Sequence, residues 1–426
     1  MTINRRDFIK ASAAGATIAG VTGLAGCVAT KGSGNLVVVG GGFGGATVAK
    51  YVRMWSEGGI NVTLIERNTA FISCPMSNLV LAGEKKIEDI TTSYEGLRSH
   101  GVRVIQGEVT AIDTEKHNVK LGDGSIIGYD RLVVAPGIDF LWESVPNLTA
   151  DIANTKIFHG WKAGPQTIAL RRQLMDMKDG GVYALCIPKA PYRCPPGPYE
   201  RASMVAHYFK QHKPKSKVLI LDANDDVQSK KGLFMAAWKD LYPEIVEYRP
   251  KHEITGLDVQ SQTVKFEFAG PVTADVLNIV PAHRAGDIAK QAGLITANNR
   301  WCGVDWRSME SLAQPGIHVL GDATLPGPAM PKSGHMATQH AKIAAAAIVN
   351  LMGGLGLPEP MNIANTCYSY VDARNAVHVA SVHAYDAADK TYKTVPGSGG
   401  VSSARNEIEG KFAFAWARNV WADALL

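Results

Sequence analysis

Directly after the apolar run Asn35–Val39 the chain reads GGGFGG, from Gly40 to Gly45, and continues as ATVAKYVRMW. A short β-branched run is read as a buried parallel strand, and the text after it has helical periodicity. The glycines stand in the spacing G-x-G-x-x-G. In such a strand–turn–helix, Gly40 permits the tight turn, Gly42 lets backbone approach a pyrophosphate, and Gly45 lets helix and strand pack closely. The free N–H groups of the helix then face the phosphates. A second strand, Asn61–Ile65, ends in Glu66, about where an acid would take the adenosine ribose hydroxyls. Strand, glycines, helix, strand and acid together predict a dinucleotide cradle.

Two later segments decide which dinucleotide. Arg131–Gly137 (RLVVAPG) and Gly316–Ala323 (GIHVLGDA) are apolar strands closed by tight turns. Both resemble the FAD signatures of flavoproteins of the glutathione reductase type, which implies that Asp322 binds the ribityl chain of FAD; taken alone, Asp322 could equally cap a helix. The alanine-rich helix that follows would aim its positive end at the flavin pyrimidine. Lys332 and Ser333 at its start are read as caps. The candidate FAD set is Gly40, Gly42, Phe43, Gly45, Glu66, Arg67 and Asp322, with Cys74 added below; no metal-ligating set is assigned.

A second nucleotide fold is expected in the middle third, with GVYALCI (Gly181–Ile187) as its first strand and VLILD (Val218–Asp222) as its next. Between them lie Pro188, Pro191, Pro195, Pro196 and Pro198, with Gly197 the one glycine. Proline offers no N–H to a phosphate, so NAD(P)H is not expected to bind. In place of the cradle stands Cys194, in the stretch YRCPPGPYE. An exposed, rigid loop suits an accessible sulfur, whereas Cys186 lies inside the strand and Cys302, in RWCGVD, reads as structural.

Together, YRCPPGPYERAS, FISCPMSN, GIHVLGDA, MPKSG, LNIVPAHRAG and NTCYSY resemble the flavoprotein subunit of flavocytochrome c sulfide dehydrogenase over essentially the whole chain; the wider family includes sulfide:quinone oxidoreductases. The resemblance implies that Cys194 and Cys367 form a disulfide over the flavin and that Glu200 is a base beside it. It also implies that Cys74 carries FAD through a thioether to the 8α-methyl. Sulfide would be the substrate and a c-type cytochrome subunit the acceptor. Residues alone do not choose the pairing: with Cys27 processed and Cys74 tied to flavin, four thiols permit three pairings. A purely structural staple between domains, and a surface role for Glu200 at a helix start, stay open. Trp416 falls where the family has a tryptophan near the cofactor, as an electron path or as packing. No C-x-x-C-H motif occurs, so the haem is expected on a separate subunit.

The 426 residues exceed what one core usually organises. The expected class is α/β: two dinucleotide-binding (Rossmann-like) domains of the glutathione reductase type plus a small α+β C-terminal domain. The boundaries are 1–30 for an export signal, 31–160 and 281–355 for the FAD domain, 161–280 for the second fold and 356–426 for the domain covering the flavin. A net charge of +5, without a Lys/Arg block, excludes a nucleic-acid partner. Arg5-Arg6 before a weakly apolar stretch is the twin-arginine pattern, so a periplasmic location is expected. LAGC, ending at Cys27, resembles a lipoprotein box, with cleavage near Ala29 as the alternative. The competing functions are a sulfide:quinone oxidoreductase-like flavoenzyme and a non-catalytic flavin-carrying redox module.

Overall fold

The computed structural model describes residues 32–426; the twin-arginine segment and Cys27 lie outside the described residues. Five parallel strands form the centre of the first sheet, in the order Ile317–Val319, Arg131–Val134, Gly34–Val39, Ile60–Glu66 and Arg103–Gln106. Short antiparallel strands, Glu310–Ser311 and Val304–Asp305, extend one edge. Leu36, Val38, Leu64 and Val133 have no exposed surface, as expected where both faces of a parallel sheet are covered. The register sets Val39 beside Ile65 and Val134. Three carboxyl ends, at Gly40, Glu66 and Ala135, therefore open on one crevice, where ligands of such sheets sit.

The helix Phe43–Trp55 begins straight after the Gly40 turn and packs on the long helix Gly334–Met352. A Cβ on Gly45 would overlap the carbonyl oxygen of Gly40. That closeness lets the helix N-terminus sit directly above the strand end.

The second sheet is also parallel, in the order Val246–Arg249, Lys217–Asp222, Val182–Ile187 and Val276–Ile279. Its crossover helix, Gly197–His212, starts where the proline-rich loop ends. A ribbon of Ile138–Leu141 paired antiparallel with Ala282–Ala285 joins the two halves. After residue 356 the chain forms antiparallel strands Ile363–Tyr370, Ala376–Asp386 and Thr391–Thr394, then the helix Glu407–Leu425. Asn406 caps that helix by accepting from the Glu409 N–H at 2.8 Å.

The last helix is fastened to the first domain. Trp421 Nε1 donates to Ser73 Oγ at 2.9 Å, one residue before Cys74. Lys50 Nζ donates to the carbonyl oxygens of Ala422 and Asp423, and Lys342 pairs with the Asp423 carboxylate at 2.8 Å; cations at a helix C-terminus satisfy its unpaired carbonyls.

Gly45→Ala should lower the thermal midpoint by an amount equivalent to about 1–3 kcal/mol, the usual cost of overpacking, despite alanine's better helix propensity. A melt at or above the wild-type temperature would contradict the close contact.

Candidate active site

At the carboxyl ends of the first sheet lies a cavity of ≈490 Å³, within the size range of ligand pockets. Gly40, Gly42, Phe43, Glu66, Arg67, Cys74 and Asp322 all line it. Gly45 does not; its place is the packing of helix on strand. One Glu66 oxygen accepts from the Gly41 N–H at 2.6 Å, and the other accepts from the backbone and side-chain N–H groups of Asn68.

The residues fit FAD on two observations. Asp322 Oδ1 is shielded from solvent and has no partner, a state that buried polar oxygens rarely keep unless a ligand completes them. A Cβ on Gly42 would meet nothing within 4 Å, so backbone at the helix N-terminus is open to a phosphate. Burial raises the Asp322 carboxyl, with Arg193 and Lys332 opposing.

Cys194 and Cys367 come together from different domains. Cys194 lies in the proline-rich loop at φ +59°, and Cys367 in the strand Ile363–Tyr370. The left-handed backbone is unfavourable for cysteine and persists only where its surroundings hold it. Here the Cys194 N–H donates to the carbonyl oxygen of Lys332 at 2.8 Å, and the Gly197 N–H donates to the Cys194 carbonyl at 2.8 Å. A Cβ on Gly197 would lie 2.9 Å from Cys194 Sγ, so the sulfur has room only because that residue is glycine. Both cysteines are free thiols. Their mutual hydrogen bond, with burial, pushes Cys194 up; the same bond draws Cys367 down, helped by Lys230 and opposed by burial and Glu200.

Glu200 stands in the first turn of the helix Gly197–His212. It is half-buried, and both its oxygens are engaged. Oε1 accepts from the Tyr370 N–H at 2.8 Å, three residues past Cys367, and Oε2 accepts from Asn78 Nδ2 at 2.8 Å. Burial raises its pKa above the ordinary glutamate range, while these two bonds and the charges of Lys230 and Arg201 pull the other way. It is thus no surface acid: it ties the Cys194 helix to the Cys367 strand.

At the carboxyl end of the second sheet, side chains close around Asp222. Asp222, at the carboxyl end of its strand, has no exposed surface. It accepts from Tyr199 Oη at 2.7 Å, Tyr248 Oη at 3.1 Å and Asn224 Nδ2 at 2.7 Å. Both oxygens of Asp222 are thus engaged within the chain.

One site residue was not singled out from the sequence, and others take a different place from the one read there. Arg193, next to Cys194, lines the flavin cavity and donates to the Trp161 carbonyl oxygen, which Cys74 Sγ also approaches at 4.0 Å. Burial alone would lower its guanidinium, but Cys74, Asp322, Cys194 and Asp139 around it raise it. Lys332, read as a cap, is instead buried against the Trp301 ring, and burial draws it down to about 7; Ser333 does cap, accepting from the Met336 N–H. Trp416 sits half-buried between His335 and Tyr368, with ring centroids at 6.0 and 5.9 Å.

Comparison with known proteins places this arrangement. Residues 167–281 match the family described as "Sulfide dehydrogenase [flavocytochrome c] flavoprotein chain, central", and residues 359–425 match "Flavocytochrome c sulphide dehydrogenase, flavin-binding". The flavoprotein chain of sulfide dehydrogenase [flavocytochrome c] from Chlorobaculum thiosulfatiphilum is 57% identical over 49 residues, 12% of this chain and all of that one. The chain belongs to the flavocytochrome c sulfide dehydrogenase flavoprotein family.

Residues 34–178 of this family member match pyridine nucleotide-disulphide oxidoreductases, consistent with the flavin-binding first domain. Mouse mitochondrial sulfide:quinone oxidoreductase is 24% identical over 70% of this chain and 67% of its own. The structure of sulfide:quinone oxidoreductase from Aquifex aeolicus superposes with a TM-score of 0.75 at 19% identity, covering 92% and 91% of the two chains. Putidaredoxin reductase in its putidaredoxin complex reaches 0.66 at 20% identity, covering 91% and 94%. These two structures share the two-domain Rossmann-like fold.

For this flavoprotein the raised Glu200 carboxyl has a readable consequence. The folded protein holds that proton more tightly than the unfolded chain, so the stabilisation is full below about pH 4.3 and is lost as pH rises through the folded value. Infrared titration of wild type minus Glu200→Gln should show a protonated-carboxyl band persisting above about pH 4.3. A band gone by that pH would contradict the assignment.

Proposed function

We propose that the protein oxidises sulfide at Cys194 and Cys367 and passes the electrons through FAD to a c-type cytochrome subunit, outside the cytoplasm after twin-arginine export. The observation that carries it is the meeting of two cysteines from different domains beside a buried carboxylate, next to a cavity that fits FAD. Family membership supports sulfide as the substrate and implies the cytochrome.

In this reading the two sulfurs cycle between disulfide and dithiol. Hydrosulfide attacks one sulfur; the S–S bond breaks as a new one forms, giving a persulfide and a cysteine thiolate. A second hydrosulfide removes the outer sulfur, which leaves as sulfur or polysulfide, and closure of the two thiolates to the disulfide releases two electrons. Bound FAD would accept those electrons. Glu200, with its raised pKa, takes the proton as general base. Arg193 and Cys74 border the flavin cavity, and Cys74 is the residue we assign to covalent attachment of FAD.

A quinone-reducing alternative is favoured by the likeness to sulfide:quinone oxidoreductases. No helix among the described residues is long and apolar enough to cross a membrane, and the last helix exposes Ile408 and Phe412.

Anaerobic sulfide should bleach the flavin absorbance, while NADH at sub-millimolar level leaves it unchanged because Asp222 and the proline loop leave no cradle. Reoxidation by cytochrome c, not by a soluble quinone, selects the proposed acceptor. Cys194→Ser and Cys367→Ser should each abolish bleaching while retaining flavin; near-wild-type turnover in purified Cys367→Ser would sink the mechanism.

Acid-precipitated protein should keep yellow, fluorescent flavin in the pellet, and Cys74→Ser should release it to the supernatant. Flavin found wholly in the wild-type supernatant would remove Cys74 as the attachment point.

A further inference from the structure

Lys230 immediately precedes the helix Lys231–Leu241, with its backbone at φ +56°. Its neighbour Lys231 points to solvent and pairs with Asp226. Lys230 instead turns inward: it is 7% exposed. Its Nζ donates to Ser369 Oγ at 2.8 Å and to the Cys367 carbonyl oxygen at 3.1 Å, with the Val377 carbonyl at 3.5 Å. All three partners are neutral oxygens, and among the described residues no carboxylate forms an ion pair with it. A buried ammonium with no carboxylate in direct contact is costly, and such groups cluster where charge must be managed.

The groups around the sulfurs show which charge that is. From the helix Gly197–His212 come Glu200 and Arg201; from the proline loop, Arg193 and Tyr192; from the last helix, Glu409 faces the ammonium. Arg201 is occupied, donating to Asn78 Oδ1, Asn278 Oδ1 and the carbonyls of His159 and Gly160. Arg193 is held by the Trp161 carbonyl at the flavin side. Lys230 is the cation fastened to the strand that carries Cys367.

We propose that Lys230 is a positioning residue for the sulfur chemistry, its ammonium stabilising the thiolate that appears at Cys194 and Cys367 when their disulfide opens. This deepens the proposed function and rests on it. While the disulfide is closed the pair is neutral. Attack by hydrosulfide leaves a persulfide on one cysteine and a full negative charge on the other, and a thiolate that is better stabilised leaves faster.

The test uses the full-length, flavin-bearing protein with the pair reduced by dithiothreitol. Iodoacetamide alkylation of Cys194 and Cys367 is followed against pH by peptide mass spectrometry. Lys230→Met should move the alkylation midpoint up by about one pH unit, the effect of losing one nearby opposite charge, which is about tenfold slower alkylation below the midpoint. Lys230→Arg should stay near wild type. Because an apolar replacement of a buried charge is often tolerated, Lys230→Met is expected to fold; if it does not, Lys230→Gln carries the same test. An unmoved midpoint in the neutral variant, or an equal shift in Lys230→Met and Lys230→Arg, would overturn the proposal. Should sulfide fail to bleach wild-type flavin, the proposed reaction falls, while the alkylation profile still decides for or against Lys230's hold on sulfur charge.

Discussion

The site depends on the Glu200 carboxylate. The Cys194 loop and the Cys367 strand go with separate sheets, and nothing in either sheet's hydrogen bonding requires them to meet. Glu200 joins them by accepting from the backbone of one and from Asn78 beside the other. Hydrogen bonds to a charged group contribute about 1.5–3 kcal/mol each, yet taking a carboxylate out of water costs several kcal/mol. The two nearly offset, so the gain is not stability but placement. A group held near balance keeps a raised pKa.

The parts of this architecture legible in the sequence are those governed by local rules. The Gly40–Gly45 spacing, the apolar strand before it and Glu66 after it each follow from what a parallel strand and a helix N-terminus need, and the structure sets them at one crevice. The proline-rich loop after the strand Val182–Ile187 was legible too, and the structure sets it just before the helix Gly197–His212. What stayed hidden depends on side chains converging from distant segments. Nothing near Asn78, Arg201 or Lys230 in the sequence names their partners: Arg201 meets Asn78, Asn78 meets Glu200, and Lys230 reaches Ser369 on the strand Ile363–Tyr370. Lys332 shows the opposite error: its position at a helix start suggested a cap, but burial against Trp301 gives it another environment.

The surroundings of Asp222 and the placement of Cys194 both follow from the proline-rich loop. In a doubly wound sheet the loop after the first strand approaches whatever lies at the carboxyl edge. With glycines there, the backbone N–H groups face a phosphate. With prolines, those positions have no N–H to give, and Tyr199 at the start of the following helix turns its hydroxyl onto Asp222. The loop is then free to bend toward the neighbouring domain, where the Lys332 carbonyl takes the Cys194 N–H. That bond places Cys194 beside Arg193, which borders the flavin cavity. The left-handed backbone of Cys194 is the strain that this placement retains.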